Sequence, residues 1–226
     1  MFGDTFENDL AKLIYNATPI ANLADNAAAS PLTTISVALH TADPGEAGTQ
    51  STSEVTGYTG YARLTPARTS GGWTVTNNSI SPAANLDFGQ RTDNGAQIVA
   101  THWSTGVAAS GATKILNRGV IGSVQGPFSA VVSGNAFTIP GHTFAVNDRV
   151  CFYSTDGSSL PGGVTSGVVL FVITVTGDVI TVSTTQGGGS ITVSAAGDGI
   201  CYKVTPLFIN QNSIPRLTTA TAITID

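Results

Sequence analysis

The sequence predicts an all-β chain with one short N-terminal helix and a second, smaller β module inserted late in the first domain. Three observations carry that expectation. Short runs of Val, Ile, Thr and aromatic residues recur between Gly, Asn, Pro and Ser turns, the rhythm of a sandwich or barrel and not of βαβ units. Helical apolar spacing is confined to the N-terminus. Near Gly122 the composition shifts to a denser series of apolar strands that runs to about Val204.

The helix is expected over about residues 4–17. Asp4 or Thr5 can cap it, Glu7 complements the dipole, and Phe6, Leu10, Leu13, Ile14 and Ala17 form an apolar face. Pro19 closes it, and a second helical turn is expected within Ile20–Ala29. Thr33–Thr41 alternates, with Ile35, Val37 and Leu39 on one face and Thr34, Ser36, Ala38 and His40 on the other, as a half-buried strand should. A long polar loop follows, opened by the turn signal Asp43-Pro44-Gly45, and Tyr61–Ala67 resumes the strand pattern. Further short strands are expected at Gly72–Thr76, Ser79–Ser81, Asn85–Phe88, Gln97–Thr101 and Lys114–Gly119.

In the inserted module, Thr176-Gly177-Asp178 between VLFVITV and VITVSTT reads as a hairpin, and Gly187–Gly189 as a flexible tip. Leu207–Asn210 and Ala220–Ile225 return to the first domain. The expected organisation is residues 1–123 with 205–226 as a discontinuous first domain and 124–204 as the insertion.

Composition excludes several classes of function. Charged residues make up 10% of the chain, which fits a surface covered by neighbours in an assembly better than a free monomer. A net charge of −5, with no two basic residues adjacent, argues against nucleic acid as a partner. No apolar run is long enough for a membrane helix, and the N-terminus lacks the pattern of a secretory signal, so assembly in cytoplasm is expected. Cys151 and Cys201 have no metal spacing and are expected as two buried thiols, with a disulfide the alternative.

Motifs for chemistry are missing. His40, His102 and His142 have no ligand partner at i+2 or i+4, and no HExxH, CxxC, GxSxG, Walker-type or GxGxxG pattern occurs. The GGGS at Gly187–Ser190 lacks a phosphate-binding lysine. Asp43, Glu46 and Glu54 cluster in the long loop without an EF-hand order and are expected to be solvated. Trp73, Trp103, Tyr58 and Tyr61 are the candidates for gripping a glycan, with Tyr58 expected to be the most exposed, although burial of all four is favoured. The expectation is a non-enzyme with no catalytic, metal or cofactor residues.

The stretch SVALHTADPGEAGTQSTSEVTGYTGYARL, with GGWTV after it and TTATAITID at the C-terminus, resembles a family of tailed-bacteriophage virion proteins labelled head decoration (cement) or tail-fibre-like. The resemblance implies a jelly-roll β-sandwich on a phage particle and, in relatives, a more direct run from RGVIG to the closing strands. It implies a capsid decoration protein that binds the outer shell surface, bridges major capsid protein capsomers and forms symmetric oligomers such as a trimer. The alternative is a tail-fibre or baseplate-associated protein whose insertion reads a glycan. Contacts are expected on Met1–Leu23 and on Ala42–Gly60, both ordering on binding.

Overall fold

A computed structural model describes residues 4–20, 31–155 and 157–224. The chain is mostly β, with one short helix, and divides into two compact units: Met1–Gly119 with Leu207–Asp226, and Val120–Pro206.

The first unit begins with α1 (Asp4–Asn16). Its strands are β1 (Ser36–His40), β2 (Trp73–Thr76), β3 (Ser79–Pro82), β4 (Leu86–Asp87), β5 (Ile98–Ala100), β6 (His102–Gly106) and β7 (Ile115–Val120). After the second unit come β14 (Leu207–Ile209), β15 (Arg216–Leu217) and β16 (Ile223–Thr224). They pair as four small sheets, in the orders β1-β6-β7, β16-β3-β2, β14-β5 and β15-β4. This pairing supports a mostly β unit and does not by itself define a jelly roll.

The helix turns a different face inward from the one its apolar spacing predicts. Glu7, Ala11 and Tyr15 are buried, whereas Phe6, Leu10, Leu13, Ile14 and Ala17 are only half-buried. The reason is Tyr15. Small Ala11 one turn earlier lets the helix approach closely, and the Tyr15 ring meets Trp73 edge-on at 5.1 Å. Its hydroxyl hydrogen-bonds Thr105 Oγ1 at 3.1 Å and Asn117 Oδ1. The helix ends at Ala17 (φ 54°), ahead of Pro19. There Arg68 donates to the Leu13 and Ile14 carbonyls, a cation placed at the negative end of the dipole. Of the two expected N-caps, Thr5 lies inside α1 and does not cap it, while the Asp4 side chain and the expected turn within Ile20–Ala29 lie outside the described side chains and residues, apart from Ile20 itself, which forms a single bridge.

Strand β1 corrects a second expectation. All five of its residues are buried, so both faces are covered and the strand is not half-exposed. Tyr61–Ala67 is not a continuous strand; it touches β1 through an isolated bridge at Val37↔Leu64 and the residues just before β1 through another at Thr34↔Ala67.

The second unit contains β8 (Gly122–Val131), β9 (Ala136–Thr138), β10 (Arg149–Tyr153), β11 (Leu170–Thr176), β12 (Val179–Ser183) and β13 (Gly197–Val204). They close into an antiparallel barrel in the order β10-β11-β12-β9-β8-β13. The β11–β12 hairpin turns at Gly177, whose φ of 58° suits a residue without a Cβ. Inward-facing Phe128, Phe137, Phe152, Val172, Ile180 and Val182 fill the interior.

Cys151 and Cys201 lie on paired strands, both buried and neither in a disulfide. Cys201 is the register partner of Phe152 and shares its inward face; Cys151, one residue earlier, faces the other way. Thiols on opposite faces of one sheet cannot be bridged without refolding it. Burial pushes the Cys201 thiol up to about 12, so it carries almost no thiolate at neutral pH. Intact mass spectrometry of native protein should show neither a reductant-sensitive mass nor alkylation at pH 8, with both thiols labelled once denaturant is added. Rapid labelling of the native chain would contradict this packing.

Candidate functional site

The polar residues of the first unit converge on the outer covering of β1 and β6. These strands pair antiparallel with Ser36↔Gly106, Ala38↔Ser104 and His40↔His102 opposite one another. Register partners point to the same face, so Ser36, His40, Ser104 and His102 line one side of the pair. That side is the one the alternation assigned to solvent. The loop after β1 folds back over it: the Thr41 N–H binds the Ser53 carbonyl at 2.8 Å, closing the neck of a compact lobe.

Gln50, fully buried, is the hub of the covering. Its Oε1 accepts from Ser36 Oγ at 2.7 Å, Thr113 Oγ1 at 3.0 Å and Arg63 Nη1 at 3.3 Å. A Cβ on Gly106 would sit 2.0 Å from that oxygen, which is why β6 ends in glycine. Arg63 completes the closure. Its guanidinium forms a two-pronged pair with Glu54, both bonds at 2.7 Å, and the two side chains are only 2% and 7% exposed. It also donates to the carbonyls of Ala108 and Gly111 and to the hydroxyls of Thr113 and Ser51. Asp43 is held likewise, by both oxygens against Arg118 at 2.7 and 2.9 Å, and it accepts from the Gly45 N–H.

Two of the three acids expected to be solvated are therefore buried in ion pairs; Glu46 alone stays in water. The expectation that Ala42–Gly60 orders only on binding is corrected on the same ground. Bonds from the Asp43, Gln50 and Glu54 side chains already pin it to the sheet, and Val55 and Tyr58 belong to the core.

The structure brings His40 and His102 together and leaves His142 apart in the second unit. His40 Nδ1 lies 2.8 Å from the Thr52 carbonyl, an acceptor only, so Nδ1 carries the proton. Nε2 then accepts from Ser104 Oγ at 2.7 Å. Thr101 Oγ1 gives its proton to the Thr41 carbonyl, so His102 Nδ1 donates to it at 2.8 Å. Burial holds both rings below the ordinary histidine value of 6.5, with His102 down to about 4. Ser104, His40 and a carbonyl reproduce a nucleophile–base–orienter spacing, yet Ser104 and His40 are each 0% exposed, so a substrate cannot reach them in this arrangement. What the three groups do as placed is fasten the lobe to the sheet.

None of the four aromatic candidates is free to stack on a sugar. Tyr58, expected to be the most exposed, is 6% exposed and donates to the Gly89 carbonyl at 3.0 Å; burial pushes its hydroxyl up to about 12. Tyr61 stacks on Phe88, accepts from the Leu39 N–H and donates to Glu54. Trp73 and Trp103 are core residues that line, with Val37, Leu86, Leu217 and Ile223, an apolar cavity of about 10 Å³, the size of one water. Among the described residues no cluster of His, Cys, Asp and Glu is arranged to hold a metal ion.

Sequence reasoning missed Gln50, Arg63, Ser104 and Arg118, which do most of the fastening. The one signal for Arg63 was its position: a cation at the centre of the apolar run YARL must be paired if that run is buried.

No curated protein matches the chain. The profile of the family described as Podophage GP4 fiber I protein gp80 matches residues 12–142, more than half of the 226 residues. The match takes in the whole of the β1–β6 site and its covering lobe, and runs on through β8 and β9 of the barrel. On that match the chain belongs to the Podophage GP4 fiber I protein gp80 family of phage structural proteins.

Proposed function

We propose that this chain is a non-catalytic building block of a tailed-phage particle, fibre-associated, that holds other subunits by shape. The family match over residues 12–142 carries the reading, since its description is that of a fibre protein. The geometry is in keeping with it. The family-matched lobe is locked to its sheet by buried pairs, which favours a rigid surface presented without an ordering cost. The barrel is closed and offers no unpaired strand edge, so it adds mass without templating aggregation. Partners in this reading are other copies of the chain, in a symmetric oligomer such as a trimer, and neighbouring virion proteins, with no nucleic acid or membrane.

The low charge favours a second reading, a capsid decoration protein of jelly-roll ancestry that binds the shell surface and bridges major capsid protein capsomers. Quantitative mass spectrometry of purified virions separates the two. The fibre reading expects a small number of copies per particle, lost together with the tail when heads and tails are separated. Copies in the hundreds that stay with tail-less heads would overturn it and favour decoration.

A further inference from the structure

The chain contains one asparagine followed directly by glycine, Asn94–Gly95, and both residues are exposed, outside any helix or strand. The pair forms the arc of a loop closed around a buried guanidinium. Arg91, 1% exposed, gives Nε and Nη2 to Asp93 Oδ1 at 2.9 and 2.7 Å, and Nη1 to the carbonyls of Ala96 and Ile209, each at 2.9 Å. Asp93 and Ala96 thus grip the guanidinium from the two ends of the arc, and the Ile209 bond ties it to β14. The Thr59 N–H, 2.6 Å from Asp93 Oδ2, secures the same carboxylate from its other oxygen. The clamp itself demands the glycine: a Cβ at position 95 would stand 2.7 Å from Arg91 Nη2.

A glycine nitrogen, with no Cβ beside it, is the least hindered one for attack on the side-chain carbonyl carbon of a preceding asparagine. Here that nitrogen is restrained by its N–H, which donates to Asp93 Oδ1 at 3.1 Å. The same oxygen takes two shorter bonds from the guanidinium, so the neutral amide is the weakest of its three donors and the first released to water. We propose that Asn94–Gly95 is a site of spontaneous deamidation, and that its isoaspartate product loosens the Arg91 clamp on β14. The Gly95 nitrogen, giving up its proton, bonds to Asn94 Cγ; the Cγ–Nδ2 bond breaks and ammonia leaves with a proton, closing a succinimide. Water then opens either ring C–N bond, giving aspartate or isoaspartate with no oxidation or reduction. In isoaspartate the main chain runs through the former side chain, so a methylene enters the arc between Asp93 and Ala96 and a new carboxylate stands beside it. An arc fitted to both ends of one guanidinium cannot keep all of those bonds at the greater length. The C-terminal segment feels the loss, because the Arg91 backbone holds it too: its N–H donates to the Ser213 carbonyl at 3.0 Å, and its carbonyl accepts from the Asn212 N–H at 2.8 Å.

The test is ageing of the full chain at pH 8, sampled over several weeks and read by peptide mass spectrometry that separates aspartate from isoaspartate. Asn94 is expected to convert before any other asparagine, with isoaspartate the major product. Amide hydrogen exchange on the same samples reads the clamp. Protection of the Asn212 amide should fall by about tenfold or more in the isoaspartate fraction, the factor for losing one hydrogen bond to a charged group. The Val172 amide of the barrel, bonded to the Asp148 carbonyl, should stay as in fresh protein. Asn94→Asp supplies the charge without the extra methylene and should keep Asn212 protected, and Asn94→Ser should neither gain mass nor loosen. Asn94 still amidated at the last sample, isoaspartate formed there with Asn212 fully protected, Val172 exchanging alongside Asn212, or equal loosening in fresh Asn94→Asp would each overturn the proposal.

Discussion

Arg63→Ala is expected to destabilise the first unit by about 3–5 kcal/mol, the range for removing one partner of a buried ion pair. The loss is large because the guanidinium serves six residues at once: Glu54, Gln50, Ser51, Ala108, Gly111 and Thr113. Alanine leaves the Glu54 carboxylate buried without its cation and the Ala108 and Gly111 carbonyls without this donor. Against a typical domain stability of about 5–15 kcal/mol, that is a third or more of the total. Arg63→Lys should recover only part, since a point charge with three donors cannot reproduce the two-pronged contact and the reach to both carbonyls. Removing the pair together, as Glu54→Leu with Arg63→Met, should not restore wild-type stability either, because Ala108, Thr113, Ser51 and Gln50 still lose the bonds that Arg63 made to them. Both tryptophans, Trp73 and Trp103, lie in the first unit, so urea unfolding followed by tryptophan fluorescence reads it directly. A midpoint for Arg63→Ala within error of wild type would mean that water enters the lobe and that the packing described for it is wrong.

The same residues show where the sequence was legible and where it was not. The strands could be read because their signal is local: TISVALHT alternates, GWTVT follows a turn, and T-G-D between two valine-rich runs is the β11–β12 hairpin. The covering of β1 could not, because its partners are distant in sequence. Ser36 meets Gln50, His40 meets Ser104, and Asp43 meets Arg118, a residue 75 positions away. Alternation reports which side chains share a face and says nothing of what lies over the polar one. The rule that loops rich in Gly, Ser and Thr stay solvated then supplied the wrong answer for Asp43, Glu54 and Tyr58. Each is buried because a specific partner arrives from elsewhere: Arg118, Arg63 and the Gly89 carbonyl. The helix failed for a related reason. Hydrophobicity chose Leu10, Leu13 and Ile14, but shape chose Ala11 and Tyr15, whose ring and hydroxyl both find partners.

Phe152→Ala should be the most damaging single truncation in the barrel. The ring is fully buried on β10, stacks on Phe137 at 4.7 Å with planes 20° apart, and meets Phe128 at 4.7 Å and 59°. Truncating a buried Phe costs about 3–5 kcal/mol in lost transfer energy and residual cavity, and each aromatic contact adds about 0.5–1.5 kcal/mol. A closed six-stranded barrel has little means of recovering that loss. Its circumference is fixed by pairing all the way round, so the strands cannot move inward to fill the hole without breaking ladder bonds. The barrel is also small, and a unit of this size loses about 4–8 °C of midpoint per kcal/mol. Thermal unfolding by far-UV circular dichroism should therefore show the barrel transition lowered by roughly 15 °C or more. Val124→Ala, at an exposed position on β8 of the same barrel, should leave it within about 0.5 kcal/mol of wild type. Equal effects at the two sites would mean that the phenylalanine cluster is not what holds the barrel closed.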